Sequence, residues 1–318
     1  MSQQERIANV ERAYDASTER MRDSNTRKLR DKSNASRAWM KRHYQRIVQN
    51  ACDHLRKTRG TGNVVANDLV LLDNGTGAGG LLHYAHQAGV GHVDANDLSA
   101  VRVDECRRYW ATQQRNTGTT MTADIWHADA FSLKTRAYHQ RMVHERRRPY
   151  DIIIYHNTLH YGATSPFALE GLMAYWRTIL AGDGIVLIVT VDSDNLATRL
   201  NKAATTTKAA TAATVPITLT DNPFFQLRWP HPLPSSSSLA QPLETGTCYD
   251  FSFHGSFHDA PEHVINKQHL MALAEKYGFA SRTCYNLGFT RENENKAPIH
   301  PEQLDTLYLY AAYCLRIN

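Results

Sequence analysis

The chain has 318 residues, a net charge of +5 and an apolar content of 42%, which allows one large or two small domains around a sizeable core. No apolar run approaches the roughly 20 residues of a membrane span, and the leading MSQQERIANVERAYD lacks the apolar core of a secretory leader, so neither a membrane anchor nor export is expected. Five scattered cysteines (Cys52, Cys106, Cys248, Cys284 and Cys314) form no C-x-x-C pair and read as reduced thiols, and no metal is expected.

Residues 1–60 carry 15 Lys/Arg against 7 Asp/Glu, which puts +8 on this segment and leaves −3 for the rest. A basic leading segment on a near-neutral body points to a polyanionic partner such as nucleic acid, although a merely solvated helix fits the charge as well. The segment reads as helical, since Met40, Tyr44, Ile47, Val48, Ala51 and Leu55 recur at helical spacing. KTRGTGN then breaks the helix, and strands and helices alternate. DLVLLDN is a strand and GGLLHYAHQAG a helix. HVDAND is a strand, and Ser99 caps the helix AVRVDECRRYWATQQR. TADIWHADA is a strand followed by a basic helix. YDIIIYHN leads to SPFALEGLMAYWRTIL with Ser165 as its cap, and DGIVLIVTVD is the fifth strand.

Residues 203–245 lose the pattern. AATTTKAATAATVP and PLPSSSSLAQP are of low complexity and read as a flexible insertion. Order returns with TCYDFSFHGSF as a strand, NKQHLMALAEKYGF as a helix and LDTLYLYAAYCLRI as a β-prone end. The alternation predicts an α/β fold: a seven-stranded, mostly parallel sheet with a terminal antiparallel hairpin and helices on both faces. A basic helical segment over residues 1–60 precedes this domain at 61–318.

The glycine turn DNGTGAGG carries the chemistry. It lacks the G-K-[ST] ending of a phosphate-binding P-loop. Gly75, Gly77 and Gly80 fit G-x-G-x-x-G, but the acids around the turn favour a different ligand. Asp73, Asp97 and Asp129 each fall where a successive parallel strand ends, and ligands of open α/β sheets sit beyond those ends. These acids suit an ammonium, a ribose and an adenine, the three parts of S-adenosylmethionine. A dinucleotide pyrophosphate would meet repulsion at Asp73. A dinucleotide and an empty remnant pocket stay open as alternatives. After the fourth strand, HNTLHYGATSP presents His160 and Tyr161 toward the same end. DNPFF at 221–225 is similar to the N-P-P-Y motif of amino-directed methyltransferases but follows the wrong strand.

Taken together, these stretches resemble the mRNA cap guanine-N7 methyltransferases. The resemblance rests on DNGTGAGG, on SRAWMK at 36–41, on NTLHY, and on CYDFSFHGSFHDAPE, and spans about residues 10–315 outside the insertion. It implies a Rossmann-like class I methyltransferase fold with S-adenosylmethionine as cofactor. Lys41 would meet the methionine carboxylate, Gly75 and Gly77 would line the cofactor, Asp97 would hold ribose and Asp129 adenine, with Asp73 and His156 beside them. His160, Tyr161, Glu262 and Tyr308 would hold the cap guanine, and Arg37 and Arg42 the cap phosphates. No catalytic acid or base is implied. The partner would be the capped 5′ end of mRNA, with a guanylyltransferase or regulatory subunit as a further candidate, and the location nuclear, or cytoplasmic for a viral chain. Ala78, Leu81, Arg37, Ala38, His156 and Asn157 depart from the family pattern. They keep two alternatives in view: a catalytically silent subunit that binds RNA or stimulates a partner, and a methyltransferase for another RNA base.

Overall fold

The computed structural model describes residues 5, 7–12, 34–60, 68–206, 217–219, 222–230, 243–253, 257–292 and 300–317. Helix α1 (Asn34–Arg59) buries Trp39, Val48, Ala51, Cys52 and Leu55 while Lys41, Arg42 and Arg46 stay exposed, the amphipathic division its spacing predicts. Its last turn is clamped at the amino-terminal end of the sheet. Arg59 forks onto Asp183 at 2.6 and 2.8 Å and reaches Asp151 at 2.7 Å, a bidentate, charge-assisted contact.

The alternating elements follow: β1 (Leu69–Asn74), α2 (Gly80–Gln87), β2 (Val90–Asp97), α3 (Ala100–Thr117), β3 (Thr122–His127), α4 (Leu133–Arg146), β4 (Tyr150–His156), α5 (Leu159–Gly162), α6 (Pro166–Ile179), β5 (Leu180–Val191) and α7 (Ser193–Thr206). Ser99 and Ser165 cap α3 and α6 as expected, their hydroxyls accepting from the N–H groups of Arg102 and Ala168. Two short strands, β6 (Ile217–Leu219) and β7 (Phe225–Trp229), precede β8 (Cys248–Phe253) and β9 (Phe257–His263). The chain closes with α8 (Lys267–Lys276), β10 (Phe279–Asn286), α9 (Leu287–Glu292), α10 (Pro301–Tyr308) and β11 (Tyr310–Ile317).

The main sheet has seven strands in the order β10-β11-β5-β4-β1-β2-β3. β1 pairs in parallel with both β2 and β4, so the strand order reverses beside β1 and opens a crevice at the carboxyl ends. β11 runs antiparallel to β5 and β10. Successive residues feed opposite faces: Leu71, Ile152 and Val93 join Leu82 and Cys106 on one side, and Leu72, Tyr155 and Ile188 join Trp176 and Leu270 on the other.

A second, antiparallel sheet, β6-β7-β8-β9, departs from the sequence reading in two ways. The segment 203–245, read as a flexible insertion, contributes two of its strands. Ile217, Leu219, Phe225, Leu227 and Trp229 are all buried, an alternation of period two that the flanking Thr, Ser and Pro runs obscure. The strand expected at TCYDFSF lies in this sheet and not in the main one. The main sheet instead takes FASRTCYN, β10, which is too polar to stand out and sits at an edge, where polar residues are tolerated. LDTLY is helix rather than strand. Residues 13–33 of the basic segment, and 207–216, 220–221 and 231–242 of the insertion, lie outside the described residues.

The second sheet packs on α7, α10 and Trp39 of α1. Arg199 of α7 pairs with Asp305 of α10 at 2.5 Å, and Asn222 donates to Asp305 at 2.9 Å. Residues 222–225 of this motif are thus a packing element: Asn222 ties down α10 and Phe225 is fully buried.

Candidate active site

The site grows from the end of β1. Gly75 adopts φ +82°, and a Cβ there would stand 2.3 Å from Thr158 Oγ1. Both the left-handed conformation and the close approach exclude a side chain. The N–H groups of Gly75 and Thr76 donate to Asn96 O at 2.9 and 3.0 Å, which binds the turn to β2. Gly77, at φ +55°, has open space where a Cβ would be, and its N–H donates to Asp97 Oδ2 at 2.8 Å. The other oxygen of Asp97 accepts from Ser99 N–H at 2.9 Å. Asp97 therefore pins the glycine turn and the start of α3 at once, and burial pushes its pKa up. Asp129 Oδ1 accepts from Phe131 N–H at 2.9 Å.

Beyond these strand tips lies a cavity of about 270 Å³. Gly75, Gly77, Asn96, Asp97, Leu98 and Ser99 form one side of it; Asp129, Ala130 and Phe131 form a second; His156, Asn157, Thr158 and Tyr161 form a third. Residues of the N-terminal segment close the remainder. Around it are buried polar atoms without a hydrogen-bond partner among the described residues: Asp73 Oδ2, Asn96 Oδ1, His156 Nε2 and Asn157 Oδ1. Unsatisfied buried groups are costly; others occur elsewhere in the fold, but Asn96, His156 and Asn157 share this lining. Asp73 is 2% exposed and lies behind the lining. Burial raises its pKa to about 7, with the nearby Asp97 carboxylate pushing in the same direction. The imidazole of His156 stacks on Tyr44 of α1 at 4.3 Å, and burial lowers its pKa to about 3, so it is neutral.

A second buried cluster adjoins the cavity through Tyr161. The Tyr161 hydroxyl donates to Glu262 Oε1 at 3.4 Å, and Tyr249 donates to Oε2 at 2.9 Å. His160 Nε2 is 3.3 Å from Glu262 without hydrogen-bond alignment. Both His160 and Glu262 are 2% exposed. Burial lowers His160 to about 3 and raises Glu262 to about 8, so the pair is neutral rather than ionic at pH 7. The second sheet makes this cluster, because Glu262 stands opposite Tyr249 across β8 and β9. His263, next along β9, contacts His160 O at 3.0 Å.

Of the residues singled out from the sequence, Gly75, Gly77, Asp97, Asp129, His156 and Tyr161 line one cavity. Asp73, His160 and Glu262 are buried beside it. Lys41 and Arg42 are exposed on α1 outside the lining. Arg37 belongs to α1, but its side chain is not among those described. Tyr308 is elsewhere: its ring packs on Gly288 and its carbonyl accepts from Asn286. Of the departures, Ala78 is exposed and Leu81 is a core residue, 6% exposed. Sequence reading missed Asn96, Leu98, Ala130 and Phe131, which directly precede or follow the strand-tip acids and were legible by position. It had no signal for Ile7, Val10 and Glu11, or for Tyr249 as the partner of Glu262.

His92, Asp94 and Asp124 also converge, with ligand atoms within 4.8 Å of one another. The Arg146 guanidinium already bridges Asp94 at 2.6 Å and Asp124 at 3.2 Å, and Asp94 is held down to about 2 with hydrogen bonds from His92, Arg146 and Tyr150 outweighing its burial. This is an ion-pair cluster that joins β2, β3 and α4. Among the described residues no helix is long and apolar enough to cross a membrane.

The strand order, the glycine turn and the acids at successive strand tips define an S-adenosylmethionine-dependent methyltransferase, with S-adenosylmethionine as its cofactor. The family model for the mRNA (guanine-N(7))-methyltransferase domain matches residues 4–299, and the chain belongs to that family. Similar solved structures include the CcbJ methyltransferase from Streptomyces caelestis, at 14% identity and TM-score 0.46 over 85% of this chain and 89% of that one. A putative S-adenosylmethionine-dependent methyltransferase from Listeria monocytogenes has 14% identity and TM-score 0.45 over 85% and 98%. One from Clostridium acetobutylicum has 13% and 0.43 over 84% and 90%. No curated protein matches the sequence.

Proposed function

We propose that the chain transfers a methyl group from S-adenosylmethionine to N7 of the guanosine cap of mRNA. In this reading Asp97 accepts the ribose hydroxyls, Asp129 the adenine amino group, and the Gly75–Gly77 backbone leaves room for the thioether chain. Asp73 supplies the negative charge for the ammonium, and Lys41 meets the carboxylate. The orphaned polar atoms around the cavity fit such a ligand, which carries both donors and acceptors.

The bound cofactor supplies an electrophilic methyl on a sulfonium, which leaves as a neutral thioether. Guanine N7 carries a free lone pair, so the new C–N bond forms as the C–S bond breaks and no proton must be removed first. The residues therefore have an aligning task, which can supply about 7–11 kcal/mol of the barrier. The Tyr161 ring, at the cavity wall, favours the positive charge that moves toward guanine. Glu262 is protonated when alone, and a guanine edge with two parallel N–H donors favours its carboxylate. Cap binding then releases a proton. Arg37 and Arg42 provide basic partners for the cap triphosphate.

The observation that carries this reading is contiguity: Tyr161 lines the cofactor cavity and also touches the buried acid Glu262. The test is incubation with guanosine-capped RNA and methyl-labelled cofactor, followed by nuclease digestion. Label on N7 of the cap is expected. Label on adenine or ribose would reassign the substrate. The closure of the acceptor cluster favours a second reading, in which a silent homologue keeps the cofactor and stimulates a partner. Both oxygens of Glu262 are taken by tyrosines. Cofactor binding by calorimetry with no label transferred would select that reading.

A further inference from the structure

One wall of the cavity comes from neither the glycine turn nor the strand tips. Residues 7–12 form a helical turn, and its Ile7, Val10 and Glu11 line the cavity. Val10 is only 5% exposed. The turn lies where β2 and β3 end: Glu11 Oε1 is 3.6 Å from His127 Nε2, and the same ring nitrogen contacts Leu98 O at 2.7 Å. From the strand side, Leu98, Ala130 and Phe131 contribute apolar surface to the same cavity. Apolar groups thus come from two directions, with the carboxylates of Asp97 and Asp129 between them. That is the chemistry of an adenosine slot, in which a flat ring takes apolar faces while the ribose and amino group take acceptors.

We infer that residues 7–12 are a strap over the adenosine half of the cofactor, with Ile7 and Val10 as the outer face of the adenine slot and Glu11 set beside His127 at the end of β3. The inference rests on the placement of ribose at Asp97 and adenine at Asp129 given above. Its consequence is kinetic: the strap must lift for the cofactor to enter and for the product S-adenosylhomocysteine to leave.

The test uses the full chain with Val10→Asp or Ile7→Asp, and calorimetry with S-adenosylhomocysteine and with 5′-methylthioadenosine, which lacks the amino-acid tail. Each variant weakens both ligands by about tenfold, the scale of disrupting one buried valine. The factor is the same for both, because the tail lies at the Gly75 end. Val10→Leu keeps affinity within about twofold; the Asp variants loosen the strap and lower the melting temperature of the unliganded chain by a few degrees at most, so affinities are compared well below it. Either nucleoside slows tryptic cleavage after Arg12. Variants that bind both ligands as the unaltered chain does would overturn the strap alone, as would a loss confined to S-adenosylhomocysteine. Failure of the unaltered chain to bind either nucleoside would overturn the cofactor placement and the strap together.

Discussion

The two halves of the site are built in opposite ways. On the cofactor side, the tips of β1 to β4 surround an open cavity, and several buried polar atoms there have no partner. On the acceptor side, Glu262 is enclosed by Tyr161, Tyr249 and His160 and held in its protonated form by burial. The first half waits for a ligand to satisfy it; in the second both oxygens of Glu262 are already taken, though His160 Nε2 is left unpartnered. A ligand that enters the second half must therefore displace tyrosine hydroxyls and a proton, whereas one entering the first displaces solvent once residues 7–12 lift. The cofactor half should bind its ligand without a change of protonation, and the acceptor half should be responsive to pH.

The largest effect expected is at Asp97, whose side chain pins the glycine turn and whose residue lines the cavity. Asp97→Ala removes two hydrogen bonds from backbone N–H groups to a carboxylate, each worth about 1.5–3 kcal/mol. Binding of S-adenosylhomocysteine should fall by roughly 100-fold or more, measured by calorimetry, with a lower melting temperature. Unchanged affinity would break the comparison at its firmer half.

Next comes Glu262→Gln, which separates the halves. A glutamine keeps one acceptor but offers a donor where guanine also donates, so the KM for capped RNA should rise about tenfold, while S-adenosylhomocysteine binding stays within about twofold. The pH dependence follows from the direction of the shift. Burial raises Glu262 from 4.5 to about 8. Its contribution to stability is full below pH 4.5 and is lost as pH rises through about 8. The melting temperature of the unaltered chain should fall over that window, and Glu262→Gln should flatten the fall. Cap affinity should move the other way and improve toward about pH 8, since guanine needs the carboxylate. A pH-independent cap affinity would remove Glu262 from the acceptor site.

The same contrast explains what could be read from the sequence. Asp73, Asp97 and Asp129 were legible because each falls at or just past the end of a strand, and a parallel sheet collects strand ends at one edge. The glycine turn was legible because a positive φ and the approach of Thr158 leave room only for glycine. Glu262 came from family resemblance alone, because its burial depends on β8 and β9 pairing outside the main sheet. Local pattern cannot tell which sheet a strand will join, and TCYDFSF was assigned to the wrong one. Val10 was invisible for a related reason: a short helical turn shows no periodicity, and its burial is decided wholly by tertiary contact.

A smaller effect is expected at Asp73. Its pKa is raised to about 7 by burial first and then by the Asp97 carboxylate, so the fold gives up stability as pH climbs from 3.8 through about 7. Asp73→Asn should relieve that loss and so flatten the lower part of the melting curve against pH. It should also weaken S-adenosylhomocysteine more than 5′-methylthioadenosine, because only the former brings an ammonium. Equal weakening of both would move Asp73 from recognition of the tail to support of the turn.

Lys41→Ala should be the mildest change and tests how far the cofactor half extends. Lys41 is exposed and outside the cavity lining, yet it lies on α1 one turn before Tyr44, which stacks on the cavity residue His156. A lysine reaching a carboxylate from solvent contributes at most about 1 kcal/mol, so S-adenosylhomocysteine should weaken by no more than a few-fold. The loss should shrink further at high salt and vanish with 5′-methylthioadenosine, which has no carboxylate. A tenfold loss that persists in salt would mean that α1 swings inward when the cofactor binds, and the cofactor half would then be no more preformed than the acceptor half.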